Sequence, residues 1–305
     1  MFCQKLLGFV WSVLGLGKKI KITGRRIAQL FSAVVYNLNF KGFVEGKIYK
    51  GSVKGVCVPG LNCYSCPGAI GACPLGSLQS SMSDLKYKLP LYIVGTLIVF
   101  GILLGRAICA FLCPFGLIQE LLYNIPSPKV KKSRWTRRLS LLKYVVLFVF
   151  VFAMPVYYLI KTGVAIPAFC KYICPAGTLE GGVPLVAVNK NLQDIIGALF
   201  NWKIIVLTVI ILASVFIYRS FCRFLCPLGA IYSFFNRRAL IGVDVDKSKC
   251  TDCGACARFC KTDVRHINDR ECIRCGECRK VCAHNAITCT PKIKIKYKIK
   301  KGEKS

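Results

Sequence analysis

Four copies of a short cysteine motif, Cys-Pro-x-Gly, stand at the edges of apolar stretches in this chain. The copies begin at Cys73, Cys113, Cys174 and Cys226, and the last three extend backwards to Cys-x-x-x-Cys-Pro. Cysteines four residues apart on a helix place both sulfurs on one face, and the proline that follows ends that helix. Cysteine pairs repeated along a membrane-type chain predict metal centres within or beside a bilayer. We therefore expect a chain that conducts electrons rather than one that carries solutes.

The composition places the chain in the membrane class. Its 305 residues are 54% hydrophobic, and 20 of them are cysteines. A secreted disulfide scaffold would be shorter and would lack spanning segments, so metal ligation explains the cysteines better. The formal net charge of +31 favours membrane lipid and acidic proteins as partners. This charge is spread over loops and a tail, which argues against nucleic acid as a partner.

Apolar runs predict about four transmembrane helices. Three runs are clear, namely Leu89–Leu112, Leu139–Ile160 and Trp202–Tyr218. The fourth, Ile27–Phe40, is short and contains polar residues. Lysine and arginine are denser in residues 1–26 and 106–138 and after residue 219, which places these parts and both termini in the cytoplasm. The predicted location is a prokaryotic cytoplasmic membrane, crossed several times.

An internal repeat divides the predicted membrane domain, residues 1–240, into two halves of about 24–116 and 139–229. Segments 106–118 and 219–231 match at an arginine, both cysteines, Phe-Leu, proline, glycine and the last isoleucine. Duplicated halves usually pack about a pseudo-two-fold axis, with binding sites between them. The predicted fold class is therefore an α-helical membrane protein of two pseudo-symmetric halves.

The two cytoplasmic motif pairs together supply four thiolates, which is the ligand set of a [4Fe–4S] cluster. This predicted inner set comprises Cys109, Cys113, Cys222 and Cys226. Arg106 and Arg219 precede the two pairs. They either anchor the ends of spans or compensate the negative charge of a cluster and raise its reduction potential.

The outer side carries six cysteines, from which the sequence predicts a second membrane cluster. The ligands ranked first are Cys66, Cys73, Cys170 and Cys174. Cys57 and Cys63 are left either to form a disulfide or to ligate a further centre. Buried cysteines or metal-free dithiols are the alternative for both sets, but they do not explain the fixed spacing beside Pro-x-Gly. The two sets are expected on opposite faces of the membrane.

Residues 241–290 predict an α+β domain of the bacterial two-cluster ferredoxin type, followed by a basic tail, 291–305. Two Cys-x2-Cys-x2-Cys-x3-Cys runs occur there, and in this pattern the fourth cysteine of each run serves the other cluster. The first predicted [4Fe–4S] cluster uses Cys250, Cys253, Cys256 and Cys282, and the second uses Cys272, Cys275, Cys278 and Cys260. Zinc sites usually pair two Cys-x-x-Cys units, so iron is favoured. His266 and His284 are predicted to be surface residues, and Cys3 and Cys289 are spare.

With these motifs the chain resembles the membrane-bound 4Fe–4S electron-transport family that includes NapH-type quinol dehydrogenases and the membrane part of NosR-type proteins. The resemblance covers roughly residues 85–290 and rests on the Cys-x3-Cys-Pro pairs and the ferredoxin runs. The chain has no room for the extracytoplasmic FMN domain of NosR-type proteins. Its cysteine-rich segment 57–73 and its pair at Cys170 and Cys174 depart from the simpler family pattern.

The sequence favours an electron carrier or oxidoreductase subunit over a stand-alone enzyme. An acidic cytoplasmic ferredoxin or flavodoxin-like donor is expected to dock on the basic ferredoxin domain. One or two membrane clusters then lead to an extracytoplasmic flavoprotein or other redox acceptor. Two alternatives stay open: a quinol- or quinone-linked dehydrogenase subunit, and a metal-handling protein whose cysteines bind copper.

Overall fold

A computed structural model of the chain describes residues 24–82, 90–194 and 196–291. The predictions for the basic amino terminus, for Cys3 and for the tail after residue 291 lie outside the described residues. Within the described part the chain is mostly helical, with one two-stranded sheet near its carboxyl end.

The described residues of the first half of the helical domain form six helices and one 3-10 turn, Ser52–Gly55. The helices are α1 (Gly24–Tyr36), α2 (Phe40–Glu45), α3 (Pro74–Ser81), α4 (Leu91–Leu104), α5 (Ala107–Phe111) and α6 (Pro114–Tyr123). Helices α3 and α6 both begin with proline, whose fixed φ suits a helix start and whose missing N–H would be unpaired there anyway. The Cys-Pro step of the motif therefore starts a helix. It does not end one, because α5 has already ended at Phe111, before Cys113.

The second half repeats this order with longer apolar helices. It contains α7 (Arg134–Thr162), α8 (Ala168–Tyr172), α9 (Gly177–Val188), α10 (Lys190–Gln193), α11 (Ala198–Phe216), α12 (Ser220–Phe224) and α13 (Pro227–Phe235). Helices α7 and α9 each contain a π-helical stretch that ends just before a proline, Pro155 and Pro184. Because proline has no N–H to donate, the regular hydrogen-bond ladder is interrupted at these points.

Two of the described helices, α7 and α11, are long and apolar enough to cross a bilayer. They contain the predicted span Leu139–Ile160 and most of Trp202–Tyr218. The prediction of a continuous span over Leu89–Leu112 is corrected, because α4 has only 14 residues and ends at Gly105, where φ is +52°. Helix α1 has 13 residues, and both fall short of the about 20 that a bilayer requires. Among the described residues, two helices are therefore long enough to span, and the prediction of about four spans is not confirmed.

The cysteine-rich carboxyl domain is the α+β unit that the sequence predicts. Strands β1 (Ile241–Val245) and β2 (Ile287–Pro291) pair antiparallel, with Val243 opposite Cys289. Between them lie the short helix α14 (Ala255–Phe259) and a 3-10 turn at Glu277–Val281. The sheet thus brings the two ends of the cysteine runs together.

The two halves of the helical domain interleave in the core. Helix α6 of the first half packs on α11 of the second, and α13 of the second half packs on α4 and α7. Phe115 and Phe221 meet across this contact with their ring centroids 5.3 Å apart and their planes nearly perpendicular. Aromatic pairs prefer this edge-to-face arrangement. Phe115 at the start of α6 therefore packs on α12, the helix that carries Cys222, so the inner motif segments of the two halves are in contact.

Candidate metal centres

The Cys-Pro-x-Gly motif has one local structure in all four copies. The cysteine immediately precedes a helix that begins at the proline, and the glycine two residues after the proline donates its N–H to the cysteine sulfur. The N–H of Gly177 lies 3.4 Å from Cys174 Sγ, and the N–H of Gly229 lies 3.4 Å from Cys226 Sγ. The glycines of the other two copies make the same bond. Since a helix amino terminus favours negative charge, each motif is suited to stabilise a cysteine thiolate.

Glycine is required in the inner motifs because the chain passes very close to it. A Cβ at Gly116 would lie 3.0 Å from the carbonyl oxygen of Cys109, and one at Gly229 would lie 3.2 Å from that of Cys222. In each half, the motif glycine therefore packs against the first cysteine of its own pair. The same glycine–cysteine contact therefore occurs at corresponding positions of the two copies of the sequence repeat.

We expect Gly116→Ala to destabilise the protein by about 1–3 kcal/mol, because the added methyl group has no room beside Cys109 and Arg219. Thermal unfolding in detergent measures the effect. Gly95→Ala in α4 is the matched control, since nothing lies within 4 Å of its added Cβ. An equal unfolding temperature for the two variants would contradict the proposed close packing.

The structure brings together the four cysteines of the inner thiol set. All four are buried, and every pair among them is close enough for their charges to interact. The set consists of Cys109, Cys113, Cys222 and Cys226. Gln119 of the first half reaches across, with Nε2 3.0 Å from Cys222 Sγ and Oε1 accepting the N–H of Phe221. Burial and then the charges of its neighbours raise the pKa of Cys113, so ligation by a cation is needed to hold these groups as thiolates.

Arg106 and Arg219 lie between the halves and are fully buried. Arg106 Nη2 donates to the carbonyl oxygen of Cys222 at 3.4 Å, and Arg219 Nη1 donates to that of Cys109. Each arginine thus binds the first inner cysteine of the opposite half. These buried, reciprocal contacts favour charge compensation beside the inner thiol set over anchoring at the ends of spans.

Each buried arginine has a carboxylate partner that sequence reasoning missed. Glu120 accepts a hydrogen bond from Arg219 Nε at 2.8 Å. Glu271, in the ferredoxin unit, accepts one from Lys143 Nζ at 2.7 Å and one from Arg106 Nη1 at 3.2 Å. Burial alone would raise the pKa of Glu271, but the two cations outweigh it and hold this pKa below its usual value. The sequence did contain one sign of such a partner for Arg219. Position 120 is a glutamate inside an apolar helix, and a charge in that setting needs a group of opposite charge.

The outer thiol set is Cys63, Cys73, Cys170 and Cys174, which line one cavity of about 540 Å³. Cys66, which the sequence ranks ahead of Cys63, is not among the residues that line this cavity. Its thiol donates to Asn37 Oδ1 at 3.6 Å. The local turn explains the difference, because the carboxylate of Glu180 accepts the N–H of Cys63 at 2.9 Å and fixes that residue toward α9.

The remaining outer cysteine, Cys57, is buried beside Ser77 and is not among the residues that line this cavity. The N–H of the next residue, Val58, donates to the carbonyl oxygen of Ala72, and Cys57 itself forms an isolated β-bridge with Ala72. These contacts hold the loop against the start of α3. Cys57 and Cys63 are both free thiols, so the predicted disulfide between them is not what the structure shows.

The inner and outer thiol sets are neighbours, which corrects their predicted placement on opposite membrane faces. The N–H of Leu61 bonds to Cys113 of the inner set, and Cys63 of the outer set follows two residues later. Two residues extend at most about 7 Å, far less than the about 30 Å of a bilayer core. The hydroxyl of Tyr232 donates to the carbonyl oxygen of Pro59 at 2.9 Å. The same side chain is close enough to interact electrostatically with Cys73 of the outer set and with Cys109 and Cys113 of the inner set.

The ferredoxin cysteines divide into two sets as the spacing predicts. The first ferredoxin set, Cys250, Cys253, Cys256 and Cys282, lines one cavity, and the second, Cys260, Cys272, Cys275 and Cys278, lines another. The fourth cysteine of each run therefore lies with the other run. His266 and His284 are exposed at the first cavity, as predicted for surface residues. Among the described residues, no three His, Cys, Asp or Glu side chains are close enough to hold a single metal ion.

The second ferredoxin set lies against the inner thiol set. Asn236, at the end of α13, donates to the carbonyl oxygens of Asp269 and Cys272 at 2.6 and 2.8 Å. Ile273 packs with Ala110 and Tyr218 from the two inner motif segments. The four thiol sets therefore lie next to one another in this order: the first ferredoxin set, the second ferredoxin set, the inner set and the outer set.

Comparison with protein-family models matches a 4Fe-4S binding domain to residues 89–133, 143–183 and 192–244, and a further 4Fe-4S binding domain to residues 243–266. An uncharacterized protein of Methanocaldococcus jannaschii is 31% identical over 202 residues, 63% of this chain and 67% of that protein. The ferredoxin-type protein MauN, a methylamine utilization protein of Paracoccus denitrificans, is 26% identical over 60% of this chain and 58% of MauN. The regulatory protein NosR of Stutzerimonas stutzeri is 26% identical over 63% of this chain and 25% of NosR.

The chain belongs to the NapH/NosR-type 4Fe–4S electron-transport family. The resemblance predicted from the cysteine motifs is therefore confirmed, and with it iron–sulfur electron transport of the ferredoxin type. No solved structure matches the chain. Within this NapH/NosR-type chain, the segment that carries Cys57, Cys63, Cys66 and Cys73 lies outside the residues that the family models match.

Proposed function

We propose that the chain relays electrons between a cytoplasmic donor and an extracytoplasmic acceptor through its ferredoxin clusters and clusters in the helical domain. The order of the four thiol sets carries this proposal, because each set is in contact with the segment that holds the next. Bound iron–sulfur clusters supply one-electron transfer. The chain contributes the thiolates, the N–H donors to sulfur and the buried cations, and these fix the position and charge of each site.

Arg106 joins the ferredoxin unit to the inner thiol set. Its Nη1 donates to the carbonyl oxygen of Arg270 at 2.6 Å, and its Nη2 reaches the carbonyl of Cys222. Further ion pairs between the same two units include Arg137 with Asp269 at 2.8 Å and Arg25 with Glu277 at 2.9 Å. These contacts hold the second ferredoxin set at a fixed distance from the inner set, which supports transfer between them.

The donor is proposed to dock at the first ferredoxin set. Cys253 is exposed there, and the basic side chains of Lys247, Lys249 and Arg265 line the same cavity. A positive surface attracts an acidic protein and raises its rate of association. An acidic ferredoxin or a flavodoxin-like protein of the cytoplasm meets this requirement.

A Lys247→Glu/Lys249→Glu variant should accept electrons from an acidic ferredoxin about tenfold more slowly at low salt, because the steering charge is reversed. Stopped-flow reduction of the clusters measures this rate. Lys41→Glu/Lys190→Glu is the matched control, since these exposed lysines carry the same charge on α2 and α10 of the helical domain. Equal slowing in both variants would show that the docking site lies elsewhere.

The helical domain is proposed to lie in a prokaryotic cytoplasmic membrane with both termini in the cytoplasm. Helices α7 and α11 expose apolar side chains such as Phe148 (69%) and Val209 (58%), which suit contact with lipid. The shorter apolar helices α4 and α9 then enter the bilayer without crossing it alone. Buried backbone at that depth is tolerated because it is enclosed by protein.

Vesicles that enclose ferricyanide and carry the chain in their membrane test the relay. With a reduced acidic ferredoxin outside, we expect ferricyanide inside to be reduced without any added quinone. Vesicles that contain the inner double variant Cys109→Ala/Cys222→Ala should show only the background rate. A strict requirement for added quinone would contradict a direct relay and would favour the quinone-linked subunit, with the acceptor in the membrane rather than outside it.

A further inference from the structure

The strongest unassigned feature is the cavity lined by the outer thiol set, which the family models cover only in part. We propose that Cys63, Cys73, Cys170 and Cys174 bind a [4Fe–4S] cluster that is the exit centre of the chain. The inference rests on the proposed electron relay and adds to it a specific ligand set, which includes Cys63 and excludes Cys66.

The arrangement of the four thiols supports one shared site. Every pair among them is close enough for their charges to interact. Cys63 and Cys73 come from the first half of the chain. Cys170 lies in α8 of the second half, and Cys174 lies between α8 and α9. The inner thiol set is built in the same way, with one pair from each half.

Backbone N–H groups already point at the sulfurs of this set. Cys174 receives the N–H of Gly177 at 3.4 Å, and Cys73 receives those of Leu75 and Gly76. Cys63 receives a further N–H from Ser65. Such bonds stabilise thiolate charge and set the potential of an iron–sulfur centre. They have no comparable purpose around neutral buried thiols.

Glycines keep the cavity open beside the sulfurs. A Cβ at Gly76 would lie 3.7 Å from Cys170 Sγ, and Cβ atoms at Gly177 and Gly181 would lie 3.6 and 3.4 Å from Cys63 Sγ. Larger side chains at these positions would fill the space that a cluster needs.

The size and charge of the cavity favour a cluster over one metal ion. A zinc ion with Zn–S bonds of about 2.3 Å draws its four sulfurs close together, and the described residues contain no such tight group. Leu61, Leu75 and Phe169 make most of the wall apolar, while Lys203 supplies a positive charge near Cys170. Lys54 interacts with Cys63 as well, and the carboxylate of Glu180 lies beside Cys63 and Cys73. A four-thiolate cluster is anionic, and the two lysines complement its charge.

Two single variants, purified anaerobically with the full chain in detergent, test the ligand set. We expect Cys63→Ala to contain about four fewer irons per chain than the unmodified protein. Cys66→Ala is the matched control, because Cys66 lies three residues away in the same loop, and it should lose none. Iron and acid-labile sulfide are measured together, and retained ferredoxin EPR signals show that Cys63→Ala has folded.

Three outcomes would overturn the inference: full iron in Cys63→Ala, loss of iron in Cys66→Ala instead, or zinc or copper in place of iron in the unmodified protein at this site. If Cys63→Ala does not fold, Cys170→Ser supplies the same iron comparison. Failure here is distinguishable from failure of the relay as a whole. Should Cys63→Ala keep its iron while Cys109→Ala/Cys222→Ala loses it, the inner site stands and only the outer one falls.

Discussion

The double variant Cys109→Ala/Cys222→Ala should lose about four irons per chain and should abolish electron transfer from the ferredoxin unit to an acceptor beyond the membrane. One ligand from each half is removed, and two thiolates cannot hold the cluster in a buried site. The two ferredoxin sets keep all of their cysteines, so their EPR signals should remain. Iron analysis, EPR and the vesicle assay measure these three properties on the same preparation.

The matched control removes two buried cysteines that belong to none of the four thiol sets. Cys57→Ala/Cys66→Ala should keep its iron and its transfer rate, because neither residue lines the outer cavity. The proposed inner cluster would be refuted by a double variant of Cys109 and Cys222 that retains full iron and full transfer. Loss of the ferredoxin signals as well would show that the two units do not fold independently of the inner site.

Glu271→Gln should cost about 3–5 kcal/mol of stability, because it leaves the buried cations Arg106 and Lys143 without their shared carboxylate. The damage lies at the contact between the helical domain and the ferredoxin unit. Hydrogen exchange should therefore show earlier opening of the segment around Cys272 than in the unmodified protein. Electron transfer from the second ferredoxin set to the inner set should slow in parallel.

The pH dependence of this effect has a defined sign. Because the pKa of Glu271 is lower in the folded protein, its contribution is present above the ordinary glutamate value of 4.5 and is lost as the pH falls below it. The difference in stability between Glu271→Gln and the unmodified chain should thus be full at pH 7 and shrink below pH 4.5. Glu277→Gln is the control, since its pair with Arg25 is partly exposed and contributes about 0–1 kcal/mol. Equal losses in both variants would contradict a special role for Glu271.

Local spacing predicted the parts of the site that depend on short stretches of chain. The ferredoxin runs fix which cysteines share a cavity, since three ligands of each set lie within seven residues. The inner set followed from the repeat, because the matched segments after Arg106 and Arg219 must lie side by side if the halves are related by symmetry. The iron–sulfur chemistry followed from four thiols at each site.

Tertiary contacts decided what local spacing did not. Cys63 and Cys66 lie in one loop with similar neighbours in sequence. Contacts with distant parts of the chain distinguish them, because the Cys63 N–H donates to Glu180, more than a hundred residues away, whereas the Cys66 thiol donates to Asn37. The break at Gly105 depends on close approach to Ala239 and Asn236. An apolar run alone did not show this contact, so the predicted span was too long. The nearness of the inner and outer sets likewise depends on the path of residues 59–63.

The iron and acid-labile sulfide content of the anaerobically purified, unmodified chain, measured with EPR of the reduced protein, decides whether the helical domain holds clusters. We expect about sixteen irons per chain, from two ferredoxin clusters, one inner cluster and one outer cluster, with interacting signals from neighbouring centres. About eight irons, with ferredoxin signals alone, would contradict a relay through the helical domain.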